Sequence, residues 1–326
     1  MRQISSPFPS CGKTCDADLF LPESAVRPPV IIITHGLGHP RFMATMRYAG
    51  HLIESGYAVF LFDYRNYAFS EGDIRNLVDP VSQLDDIRAA LVHIRSLDLV
   101  DTTRIVLCGI SLAGGYALSI AAEDKEISCV ICMIPVICPA ACFKSKGILY
   151  SLPYCLLTWY DRIRAKLGVK PFYLPMIISP DHLADFQNPD FYPGYAFDCP
   201  SVRAKKSVHF VGITNLSTGR SIVWNNLVPF RSMKNILQYE AVSALPEVTC
   251  PVLVIAAEQD TIMPFNLLKQ KLAGCSRAEV ISYAGNHFNV ADSRVCDRMM
   301  PEIMRFLEKS GLMPAGSAGK TEIHHV

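Results

Sequence analysis

Unbroken apolar runs, separated by stretches with helical spacing, set the pattern of this chain. The clearest runs are Pro29–Thr34 (PVIIIT), Ala58–Asp63 (AVFLFD), Arg104–Cys108, Ile127–Ile134 and Pro251–Ala257 (PVLVIAA). Runs of this length, rich in β-branched residues and lacking polar alternation, predict strands buried on both faces, hence a mostly parallel central sheet with helices on both sides. Between the second and third runs, Val81–Leu97 places Leu84, Ile87, Leu91 and Ile94 at helical intervals and predicts a crossover helix. A short ISY run ending at Tyr283 predicts one more strand.

The alternation fails between about Val136 and Arg231, where aromatics and prolines take over before PVLVIAA restores it. This break predicts an inserted, largely helical cap over 136–231, with the core divided into 1–135 and 232–310 and a flexible tail over 311–326. Inside the cap, a helix is expected over Leu152–Leu167, with Ser151 as N-cap, Pro153 in the first turn and Gly168 as the stop. Leu152, Leu156, Trp159, Ile163 and Leu167 line one face of it, which is expected to pack on the core, and Leu156 and Trp159 are the candidates for touching substrate. Ile148–Tyr160 carries no charge, and Phe186, Phe191, Tyr192, Tyr195 and Phe197 cluster farther along. Any of this surface facing the site would bury an apolar chain.

Charge removes one class of partner. The 326 residues carry 31 basic and 30 acidic side chains without long blocks, so no footprint for nucleic acid exists. The first twenty residues lack the apolar core of a secretory signal, and the run Ile127–Phe143 is broken by Pro135 and Pro139, so a cytoplasmic chain with no membrane span is expected. In such a compartment the 12 cysteines are expected to be reduced and mostly buried. Cys129 and Cys132 form a CxxC inside a strand-like run, where residues three apart face opposite ways and cannot share a ligand. Neither a metal nor a cofactor is expected.

The candidate chemistry begins at Gly109-Ile110-Ser111-Leu112-Ala113, where a strand breaks and a helix-like run rich in small residues follows. Small residues on either side of a serine let strand and helix approach closely and expose its hydroxyl in a tight turn. A catalytic serine also needs a base, a carboxylate to orient the base, and donors for an oxyanion. Asp260 stands just past the PVLVIAA strand, where groups gather outside the carboxyl ends of parallel strands. Glu258, closer to the strand, is its competitor. His287, in Ala284-Gly285-Asn286-His287-Phe288, follows ISY. Thr34-His35-Gly36-Leu37-Gly38 makes a glycine-flanked turn after PVIII, so the N–H groups of Leu37 and Leu112 are the candidate oxyanion pair.

HGLG, FDYRNYAFSEG, GISLAGG, AAEQDTIMP and AGNHF stand in the order found in the α/β-hydrolase superfamily, which the chain resembles on both flanks of the cap. The position two after the serine is Ala113 where the family pattern has glycine, with Gly114 and Gly115 following. The resemblance implies an α/β-hydrolase fold with Ser111 as nucleophile, His287 as base, Asp260 as orienting acid, and His35 and Asp63 in supporting loops. More narrowly, WNNLVPFRSMKNILQYEAVSALPEVTCPVLVI resembles the segment re-entering the core in the fungal polyketide transferases and thiohydrolases. That implies a serine hydrolase acting on a small-molecule acyl ester or thioester, free or carrier-bound. Alternatives are an acyltransferase using an alcohol as acceptor, a peptidase, or a non-catalytic ligand receptor; a dehalogenase would need a carboxylate where Ser111 stands.

Overall fold

The computed structural model describes residues 1–23, 25–42, 46–175, 195–198 and 210–315. Its main sheet has eight strands: β1 (Arg2–Ser5), β2 (Ala17–Leu21), β3 (Pro29–Thr34), β4 (Ala58–Phe62), β5 (Asp101–Ile110), β6 (Cys129–Met133), β7 (Val252–Ala257) and β8 (Ala278–Tyr283). They lie in the order β1-β2-β4-β3-β5-β6-β7-β8. From β4 to β8 every pairing is parallel, and only the first two strands join antiparallel. The N-terminal strands were not legible as an apolar run, because β2 is only five residues long and contains the buried Asp18.

Period-two alternation sorts each strand between two apolar layers. Val30 and Ile32 of β3 join one layer with α2 (Pro80–Arg95), α3 (Leu112–Glu123) and α7 (Phe265–Leu272). Ile31 and Ile33 join the other, with α1 (Met46–Glu54) and α8 (Ser293–Lys309). Cys132 lies in the first layer and Cys129 in the second, on opposite faces of the sheet. In α2, Pro80 opens the helix, where a missing N–H costs nothing, and Ile87, Leu91 and Ile94 are buried.

The described part of the insertion mixes helices and strands. There α4 (Pro139–Lys144) and α5 (Ile148–Lys166) follow β6, and α6 (Ser232–Gln238) leads back towards the core. Between them, strands at 195–198, 210–215 and 221–225 form an antiparallel sheet, and 173–175 pairs with 227–229. Within that sheet, Phe210–Asn215 and Ser221–Asn225 pair across a tight turn that includes Gly219 at positive φ, a hairpin that apolar periodicity alone does not mark. Helix α5 starts at Ile148 with Gly147 as N-cap, so Ser151 is inside it. It ends where expected, with Gly168 at φ 68°, Gly168 N–H on Ala165 O and Val169 N–H on Arg164 O, which satisfies the last carbonyls. Phe186, Phe191 and Tyr192 lie outside the described residues.

Of residues 311–315, expected as the start of a mobile tail, 312–314 are packed. Leu312 is buried, and Tyr57 and Arg104 hydrogen-bond Met313. Residues 316–326 lie outside the described residues. Among the described residues, no helix is long and apolar enough to cross a membrane.

Candidate active site

Ser111 occupies the turn between β5 and α3 at φ 57°, ψ −120°, a conformation that costs a non-glycine residue about 1–3 kcal/mol. The surroundings hold it there. Met133 O accepts its N–H at 2.9 Å, and its own carbonyl accepts from Gly114 and Val136. The turn also dictates glycines: a Cβ on Gly109 would stand 2.1 Å from Ala113 O, and one on Gly114 2.6 Å from Pro135 Cβ. Ala113 itself is fully buried without a clash, so a methyl is accommodated where glycine is usual.

The structure brings Ser111, His287 and Asp260 into one line. Ser111 Oγ is 2.9 Å from His287 Nε2, and His287 Nδ1 is 2.7 Å from Asp260 Oδ2. A carboxylate only accepts, so Nδ1 carries the ring proton and Nε2 is left to accept from the serine hydroxyl. Asp260 is oriented by its other oxygen, which accepts from the N–H groups of Ile262 and Met263 at 2.7 and 2.9 Å. His287 opens a 3₁₀ turn braced by a capping box, Asn286 Oδ1 accepting from Phe288 and Asn289 Oδ1 from Asn286. Glu258 instead accepts from Ser282 Oγ and is exposed.

The loop after β3 runs against this serine. A Cβ on Gly36 would lie 3.0 Å from Ser111 Cβ and 3.1 Å from Ile110 O, tighter than an ordinary contact, so the glycine lets this backbone pass close to the serine. The N–H of Leu37 follows immediately. Leu112 is the first residue of α3, and its N–H has no partner within the helix. The two N–H groups belong to the two backbone segments flanking the Ser111 hydroxyl.

Two supporting groups from the sequence have defined roles in holding that loop. His35 is buried edge-on against Tyr64, with ring centroids 4.5 Å apart, and its Nδ1 lies 3.3 Å from Gly36 O. Burial pushes its pKa down to about 3, so it is neutral. Asp63 accepts from the N–H of Arg41 at 2.8 Å and pairs with its guanidinium at 2.7 Å. Burial raises the Asp63 carboxyl above its ordinary range, against the pull of Arg41.

Arg41 was not singled out in the sequence. It is fully buried, and its guanidinium also reaches Asp16 and Asp18 at 2.7 and 2.6 Å. From the cap, Arg220 pairs with Asp16 and Asn215 Nδ2 donates to Asp18. One ionic cluster thus ties the loop after β3 to β2, β4 and the cap hairpin. Its members are scattered over two hundred residues, and no local motif marks them.

Leu156 and Trp159, the expected substrate contacts, are 60% and 65% exposed. They lie on the outer face of α5, so this assignment is corrected, as is the expectation that the Leu152–Leu167 stripe packs on the core. The inward face is the opposite one. Asp161 is buried, accepting from Phe172 N–H and pairing with Arg231, and Tyr154 stacks on Phe230.

Among the described residues, His51, Cys296 and Asp297 bring one potential metal-ligating atom each within 4.8 Å of one another, on the α1–α8 side of the sheet. Burial pushes the Cys296 thiol up to about 12, which opposes the thiolate a metal needs.

Comparison with known proteins agrees with this architecture. The chain is 30% identical over 302 residues to the quorum-quenching protein AidA of Acinetobacter baumannii, covering 93% of each. It is 26% identical over 263 residues to the polyketide transferase af380 of Aspergillus fumigatus, covering 80% of this chain and 82% of that one. The crystal structure of the alpha/beta hydrolase GrgF from a Penicillium species superposes with a TM-score of 0.73 at 20% identity, over 95% of this chain and 99% of that one. The sequence model of the alpha/beta hydrolase family matches residues 30–298, and the chain belongs to that family.

Proposed function

We propose that this protein is a serine hydrolase that cleaves a carboxylic ester or thioester through an acyl-enzyme on Ser111. The observation that carries this reading is the continuous hydrogen-bonded line Ser111–His287–Asp260, at 2.9 and 2.7 Å, with a strained backbone at the serine.

In this mechanism Ser111 Oγ attacks the acyl carbonyl carbon as its proton passes to His287 Nε2. The oxyanion that forms is stabilised by the N–H groups of Leu37 and Leu112, assisted by the positive end of α3. Asp260 holds the ring in the correct tautomer and offsets the imidazolium charge. His287 then protonates the departing alkoxide or thiolate as the bond to the acyl carbon breaks. Water attacks the acyl-enzyme with its proton going to His287, and the proton returns to Ser111 as the acid leaves.

An acyltransferase would use the same residues with an alcohol in place of water, and the relative named as a polyketide transferase favours keeping that second reading. The relatives carry different names, quorum quenching and polyketide transfer, and the panel of acyl substrates below identifies the acyl group. A non-catalytic receptor is the weaker reading, since binding alone has no use for a buried carboxylate aligned on a histidine behind a strained serine.

The test is intact-protein mass spectrometry after incubation with a panel of acyl esters and thioesters from acetyl to decanoyl, followed by product analysis with candidate alcohols. A mass increase equal to the acyl group, absent in Ser111→Ala, is expected. Full turnover by a folded Ser111→Ala protein would sink the assignment. A free acid as product supports the hydrolase, and a new ester the transferase.

A further inference from the structure

The outer face of α5 is the strongest feature that the site does not use. Leu149, Leu152, Leu156, Trp159, Ile163 and Leu167 are exposed by 37% to 87%. At 100° per residue they fall on an arc of roughly 80°, one unbroken stripe along the helix. Taking about 200 Å² for a large apolar residue, the stripe with its neighbour Tyr160 leaves on the order of 800 Å² of apolar surface in water. A monomer's largest patch is commonly about 300–600 Å².

Charge says what covers it. Residues 139–172 contain Lys144, Lys146, Arg162, Arg164, Lys166 and Lys170, and a single acid, Asp161, which is buried against Arg231. The chain as a whole is balanced at a net charge of +1, so this segment concentrates cations. Basic groups lie at both ends of the stripe. A second copy of the chain would set like charges together in either orientation: antiparallel, the basic end of the stripe after Ile163 would meet the other copy's basic end at Lys144 and Lys146, and parallel, each end would meet itself. A surface that is apolar beneath and anionic at its boundary satisfies both features, and Trp159 and Tyr160 are the side chains that settle at that boundary.

We propose that α5 docks this protein, peripherally and reversibly, on an anionic lipid bilayer, with the Leu149–Leu167 stripe in the headgroup region and the flanking lysines and arginines on the lipid phosphates. The inference stands on α5 alone and is independent of the chemistry at Ser111.

The two tryptophans supply a readout: Trp159 is 65% exposed and Trp224 is buried. The full chain is titrated with vesicles of phosphatidylcholine and of phosphatidylcholine mixed with phosphatidylserine, following tryptophan emission and co-sedimentation. A blue shift and co-sedimentation with the mixed vesicles are expected, with weaker binding to pure phosphatidylcholine and loss as salt rises. The blue shift should vanish in Trp159→Phe. Leu156→Glu with Leu167→Glu should weaken binding at least about ten-fold, and the circular dichroism of these variants shows whether the fold is retained. Absence of wild-type binding to mixed vesicles overturns the proposal, as does equal binding by the folded double-Glu variant. A lipid-free dimer that Leu156→Glu and Leu167→Glu dissociate would assign the stripe to a second copy and overturn it as well.

Discussion

Helices α3 and α5 are both rich in apolar residues, and their surroundings differ completely. From Leu112 to Ala121 every residue of α3 is buried. Its contacts are close because its residues are small: Gly114 fits against Pro135, and Gly115 lies so near Val136 O that a Cβ would stand 2.8 Å away. The apolar residues of α5 are large, and its leucine stripe meets no counter-surface among the described residues. Hydrophobic composition alone therefore does not say that a helix is interior. Small residues license close approach, and only such an approach fixes the serine beside them.

This contrast is testable at both ends. At the site, Asp260→Asn removes the acceptor that sets the His287 tautomer and should lower kcat by on the order of 10⁴, with little change in chemical denaturation; steady-state kinetics on the best ester of the panel decides it. A variant within ten-fold of the parent would break the assigned role of Asp260.

Arg41→Met leaves the buried Asp16, Asp18 and Asp63 around a missing cation. It should cost about 3–5 kcal/mol in urea unfolding. A loss below about 1 kcal/mol would mean that the cluster does not brace the loop after β3.

His35 tests the same loop through pH. Its folded pKa, about 3, is depressed by burial below the ordinary value near 6.5. Its stabilising contribution is therefore complete above about pH 6.5 and is lost as the pH falls towards 3, because the unfolded chain takes up the proton first. Between pH 7 and 5 this group alone should cost roughly 2 kcal/mol, and His35→Gln should flatten the curve by that amount. Asp63, raised in the folded state, contributes with the opposite sign, since its stabilisation is lost as pH rises. It is present in both proteins and cancels from the difference. Identical pH curves would remove His35 as the buried neutral group.

The smallest effect is expected on α5, where Leu167→Ser should change stability by no more than about 0.5 kcal/mol, since Leu167 is 72% exposed. A cost above about 2 kcal/mol would show that the stripe is covered in the folded protein and would cancel the contrast with α3.

Much of the fold was legible in the sequence because strands buried on both faces write themselves as local apolar runs. PVIIIT coincides with β3 and PVLVIAA contains β7, while the alternation of their side chains between two layers follows from the pleat. The elbow at Ser111 was legible for a similar reason: the close approach of β5 and α3 demands small residues within a few positions of the serine, so the requirement is local. The chain order of Ser111, Asp260 and His287 was legible too, through the resemblance to a known family.

What only the tertiary structure decided depends on partners far apart in the chain. Helical spacing predicted the Leu152–Leu167 stripe but not whether anything packs on it. The side of α5 that meets the protein was selected by Asp161 with Arg231 and Tyr154 with Phe230, contacts spanning about seventy residues. Arg41 was equally silent, a lone arginine whose three carboxylates come from β2, the turn before it and the end of β4. Periodicity is written within a single element, whereas the burial of a charge or of a face is a property of the elements that surround it.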